Sequence, residues 1–139
     1  MTAREYLDQI RVLDARIDVL LQEKKVIRES ILPGSISYRD KVQNSPDPDP
    51  YGTWVCRMEE KEAEIAREIG ALSDLRLEVT RRIGEMKDAR YIRVLYLRHV
   101  QLEAFRKIAD DMGYSPKYIR NLHKLAFREF EKRYNKMCL

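Results

Sequence analysis

Cysteine and histidine are both scarce in this 139-residue chain, with two of each. Cys56 and Cys138 lie far apart and outside any paired spacing, so neither a disulfide framework nor a zinc site is expected. His99 and His123 have no acidic or cysteine partner at metal-ligand spacing, which points to packing or surface roles rather than catalysis. The five glycines form no phosphate-cradling loop, and no nucleophile elbow or polar carboxylate pair appears. An enzyme is therefore not expected, and no cofactor or metal is called for. Long apolar runs are missing too, and Met1-Thr2-Ala3-Arg4-Glu5 reaches charge at once. The chain thus predicts neither a signal peptide nor a membrane span, and a cytoplasmic location.

At 36% charged and 44% hydrophobic, the composition is too apolar for a disordered tail and too charged for a membrane protein. The net charge of +4 conceals an asymmetry. Residues 1–86 carry 14 basic and 17 acidic side chains, net −3; residues 87–139 carry 13 and 6, net +7. Such a division is the footprint of a nucleic-acid-binding module joined to a neutral or acidic one.

Residues 1–86 read as a helical hairpin. Tyr6, Ile10, Leu13, Ile17, Leu20, Lys24, Ile27 and Ile31 alternate in steps of four and three, a heptad seam flanked by Leu7, Val12 and Leu21 and stopped by Pro33-Gly34. A second seam runs through Met58, Glu62, Ile65, Ile69, Leu72, Arg76, Val79, Ile83 and Met86. Neither narrow stripe buries itself, so the two are expected to pack as an antiparallel coiled-coil hairpin, or to pair between chains as a homodimer. Residues 32–53, with prolines at 33, 46, 48 and 50, read as a connecting loop, which Tyr38, Val42 and Trp54 could dock onto the hairpin or onto a partner.

Residues 87–139 are expected to form an all-α helix-turn-helix domain. Asp88 caps a helix carrying Ala89, Ile92, Leu95, Tyr96 and Val100; a shorter run, Leu102, Phe105, Ile108, Ala109 and Met112, ends at Gly113. Gly113 suits a left-handed helix end, Ser115 is an N-cap and Pro116 a first helical residue. On a helical wheel that turns about 100° per residue from Lys117, Asn121 falls at about 40°, Arg128 at about 20°, Lys124 at about 340° and Arg120 at about 300°. Ile119, Leu122, Ala126 and Phe130 gather opposite, between about 140° and about 220°. An apolar face backed by Lys, Arg and Asn has the side chains for base readout and phosphate anchoring in a DNA major groove. The aromatic residues of this region recur at helical spacing and are expected in its core.

The run YIRVLYLRHVQLEAFRKIADDMGYSPKYIRNLHKLAFREF, residues 91–130, resembles region 4 of bacterial sigma factors, with His99 where tyrosine is usual and Met112 where leucine is usual. The whole layout, including Val42-Gln43-Asn44-Ser45, resembles phage and prophage late transcriptional regulators of the ArpU/RinA type. The sigma resemblance implies base-edge positions at Pro116, Lys117, Arg120 and Asn121, of which Pro116 has no N–H to donate. The candidate DNA-binding residues are then Ser115, Lys117, Tyr118, Arg120, Asn121, Lys124 and Arg128, with Lys124 and Arg128 on phosphates and Tyr118 flanking the backbone. Double-stranded DNA and RNA polymerase are the implied partners, and an activator or promoter-specific accessory factor the implied role. A small-terminase-like DNA-packaging protein and a coiled-coil adaptor are the alternatives; a ring-sized oligomer would favour the first, and DNA binding by the isolated residues 87–139 would defeat the second.

Overall fold

A computed structural model describes residues 1–30 and 48–137, which are all-helical, without a strand. Five α-helices follow in order: α1 (Ala3–Glu29), α2 (Pro50–Gly84), α3 (Ala89–Leu95), α4 (Phe105–Met112) and α5 (Pro116–Met137). Among the described residues no helix is long and apolar enough to cross a membrane.

Local chemistry sets most helix starts. Thr2 and Glu5 form a capping box: the Thr2 N–H donates to Glu5 Oε2 at 2.9 Å and the Glu5 N–H to Thr2 Oγ1 at 3.2 Å. Helix α2 begins eight residues before the first seam position expected for it. Asp49 Oδ1 accepts the Gly52 N–H at 3.0 Å and Pro50 occupies the first turn, where its missing N–H costs nothing. The end of the proline-rich stretch, residues 50–53, is thus helix rather than loop. Tyr38, Val42 and the Val42–Ser45 segment lie outside the described residues, as do Ile31, Pro33, Gly34 and Cys138. Trp54 belongs to α2.

The described chain divides into two compact units: residues 14–71, and residues 1–13 together with 72–139. In the first, Ile17, Leu20, Met58 and Ile65 are buried. Lys24 pairs with Glu62 at 3.5 Å and Lys61 with Glu23, while the Trp54 indole N–H donates to the Ile27 carbonyl at 2.6 Å. Met58 and Ile65 lie seven residues apart. The alternate seam positions between and after them, Glu62 and Ile69, are exposed, and so is the flanking Leu21. The apolar stripe here is narrower than the heptad reading predicts.

The second unit holds the larger core. Leu7, Ile10, Val79, Ile83, Val94, Leu95, Ile108 and Ile119 are fully buried, and α5 packs against both α3 and α4. Val12, expected to widen the α1 stripe, is 52% exposed. The first residues of α1 deliver Tyr6 to α5, where its ring lies 5.3 Å from Tyr134 and 6.2 Å from Phe130, and Arg82 of α2 covers it at 4.9 Å. Burial pushes the Tyr6 phenol up to about 12, against the opposing Arg82 charge.

The helix expected to run unbroken to Val100 changes form. After Leu95 one π-helical turn, Tyr96–Val100, follows, with the Gln101 N–H reaching back five residues to the Tyr96 carbonyl at 3.1 Å. Leu102, expected on the next helix, instead sits at φ 57° in the link, and α4 begins at Phe105. A left-handed leucine is rare and turns the chain sharply before α4.

Candidate nucleic-acid interface

Three local devices position α5. Gly113 ends α4 at φ 75°, and the Tyr114 N–H closes that end on the Ala109 carbonyl at 2.9 Å. Ser115 Oγ then accepts the Tyr118 N–H at 3.1 Å, and Pro116 supplies a preset first-turn φ. The result is a short link between helices that pack on each other.

Along α5, Ile119, Leu122, Ala126, Phe130 and Tyr134 are buried. Ser115, Lys117, Tyr118, Arg120, Asn121, Lys124 and Arg128 are all exposed. Lys117, Arg120, Asn121, Lys124 and Arg128 share one arc of a helix whose opposite arc is sealed into the unit. Ser115 differs from them: its hydroxyl is engaged in the cap, so its contribution is to the helix start.

Tyr118 has a partner that the sequence reading missed. Arg90 Nη1 donates to the Tyr118 hydroxyl at 2.8 Å, and Arg90 Nη2 lies 3.3 Å from Asp88 Oδ2. Asp88 also caps α3, accepting the Arg90 N–H at 2.9 Å. The Arg90 guanidinium holds the Asp88 carboxyl below its ordinary range, and Asp88 in turn raises Arg90. On its other side the Tyr118 ring lies 4.6 Å from that of Tyr114. A phenol that accepts from Arg90 keeps its own proton to donate, so Tyr118 can offer one hydrogen bond to an external acceptor such as a phosphate oxygen. The Asp88-x-Arg90 spacing was visible as a helix cap; its second use, on a tyrosine far along the chain, was not.

No family model, curated protein or solved structure matches this chain.

Beside the exposed arc, α5 carries His123 and Phe127 one turn apart. His123 Nε2 lies 2.9 Å from His99 Nε2 on the π-helical turn, and the ring of Phe105 meets His123 edge-on at 5.2 Å. Burial lowers His99 to about 3 and His123 to about 4; for His99 the next causes are His123 and the charges of Arg98, Arg11 and Arg4, and for His123 those of Arg98 and Arg4. A single shared proton satisfies this contact with both rings neutral. The histidines thus tie α5 to the π-helical turn. Among the described residues no group of three or more His, Cys, Asp or Glu is gathered as a metal site.

Proposed function

We propose that the chain is a sequence-specific, double-stranded-DNA-binding transcriptional regulator of the phage or prophage type. In this reading residues 87–139 act as a sigma region 4-like helix-turn-helix, with α4 and α5 as its two helices and α5 in the major groove. The observation that carries it is the one-sided exposure of Lys117, Arg120, Asn121, Lys124 and Arg128 on a helix introduced by the Gly113 turn and the Ser115 cap. Lys117, Arg120 and Asn121 lie near the helix N-terminus, where a groove-inserted helix reaches base edges; Arg or Lys suits guanine O6/N7, and Asn adenine. Lys124 and Arg128, one and two turns further, suit phosphates. Helices α1 and α2 form the antiparallel hairpin of this reading, a support for the DNA-binding module and a surface for a second copy or for RNA polymerase.

Selection of bound duplexes from a random pool, followed by gel shifts, tests the reading. A recovered consensus that binds more tightly than random duplexes is expected, with that preference abolished by Lys117→Ala plus Arg120→Ala. Equal affinity for consensus and random duplexes overturns it.

A further inference from the structure

Three arginines outside the exposed arc of α5 gather against its flank. Arg4 on α1 stacks over the Phe127 ring at 4.9 Å. Arg98, on the π-helical turn, lies over Phe105 at 4.2 Å and donates to the Glu103 carbonyl at 3.0 Å. Phe105 in turn meets His123 of α5. Arg11 follows Arg4 by two helical turns on α1, and together with burial its charge holds Arg98 below the ordinary guanidinium value. Arg4 and Arg11 are exposed and Arg98 is half-buried.

Like charges brought this close repel one another, and a protein surface ordinarily interleaves carboxylates among them. This chain has 23 Asp and Glu to draw on. None of the three arginines has an ion-pair partner among the described residues, although Asp8 stands four residues after Arg4 and three before Arg11 on α1. Position adds to charge. On the same wheel of α5, His123 and Phe127 fall at about 240° and about 280°, next to Arg120 at about 300° and Lys124 at about 340°. Arg4, stacked on Phe127, therefore borders the cationic arc of α5, and Arg98 reaches it through Phe105 and His123, with Arg11 two turns beyond Arg4 on α1. Two of them lie over aromatic rings, which limits the side-chain entropy lost on binding an anion.

We propose that Arg4, Arg11 and Arg98 form a phosphate-binding strip that continues the cationic face of α5 and grips the backbone of duplex DNA beside the groove that α5 enters. The proposal rests on the DNA-binding reading and enlarges its footprint: the start of α1 becomes part of the DNA-binding surface. Guanidinium groups are matched to phosphate oxygens, and contacts of this kind add affinity without sequence preference.

The test uses the full chain and its selected duplex, with affinities measured from about 50 to about 200 mM salt. Each phosphate contact contributes about 0.9 to the slope of log K against log salt, so Arg4→Gln plus Arg11→Gln should flatten it by roughly 2. The affinity deficit of this variant is then about tenfold greater at about 50 mM than at about 200 mM. Its ratio of consensus to random affinity should stay as in the parent, and Arg4→Lys plus Arg11→Lys should restore the slope. As a control for net charge, Lys25→Gln plus Arg67→Gln, both exposed and remote from α5 in sequence, should leave it unchanged. An unchanged slope in the Arg4/Arg11 variant, or an equal drop in the Lys25/Arg67 variant, overturns the strip while leaving the DNA-binding reading intact. A parent protein that binds no duplex overturns both.

Discussion

The half-buried histidine pair makes the fold sensitive to mild acid. Both rings are pushed below the ordinary 6.5, to about 3 for His99 and about 4 for His123, so both stay neutral in the folded state down to pH 5. In the unfolded chain they take up protons near 6.5. The unfolded state thus binds more protons, and stability falls as pH drops below about 6.5. Between pH 7 and pH 5 an unfolded-state histidine gains about 2 kcal/mol from protonation, so the pair removes about 4 kcal/mol, a large share of the ~5–15 kcal/mol typical of a domain. Charging both rings would also set two N–H groups face to face across a 2.9 Å contact. No other histidine exists in the chain, and carboxylates titrate mainly below this window. Urea unfolding followed by far-ultraviolet circular dichroism at pH 7, 6 and 5 measures the effect. His99→Leu plus His123→Leu should remove the pH dependence over this range even if it shifts the baseline stability. A parent protein that loses less than about 1 kcal/mol, or a double variant that keeps the full slope, refutes the reasoning.

Two further changes probe the positioning of α1 and α5. The Tyr6 hydroxyl is buried with no hydrogen-bond partner among the described residues, so Tyr6→Phe should raise stability by about 1 kcal/mol while keeping the ring contacts; a lower urea midpoint would show that the hydroxyl is satisfied. A Cβ at Gly113 meets nothing within 4 Å, so Gly113→Ala should cost only the left-handed backbone penalty, about 1–2 kcal/mol in thermal unfolding, and Gly113→Asn less; alanine matching glycine would contradict the turn geometry.

What could be read from the sequence was what neighbours decide. Asp88, Gly113, Ser115 and Pro116 act within four residues of their own positions, and the buried and exposed faces of α5 follow from a 3.6-residue period. The failures have two sources. In one, a local signal was outweighed by a stronger one: the run of prolines suggested a loop, but Asp49-Pro50 is also a helix start, and α2 begins there. Likewise the apolar period runs on through Val100, and nothing in it marks the π-helical turn or the left-handed Leu102. In the other, the partner is distant in the chain. Tyr118 with Arg90, Arg4 with Phe127 and His99 with His123 are joined by packing alone, which no spacing rule reports. The candidate surface was therefore recognisable in α5 itself, and its supports on α1, α3 and the π-helical turn were not.

The contact between Tyr6 and the rings of Phe130 and Tyr134 sets an order on folding during synthesis. Helix α1 leaves the ribosome early, yet the aromatic surface that covers Tyr6 is made only after more than a hundred further residues, and closing so long a loop is slow. Until then Tyr6 has no α5 aromatic surface to rest on and is open to chaperones or to a neighbouring nascent chain. Completion of α5 is thus the event that covers Tyr6, and a ribosome stalled before Phe130 holds a chain whose α1 is still without that cover.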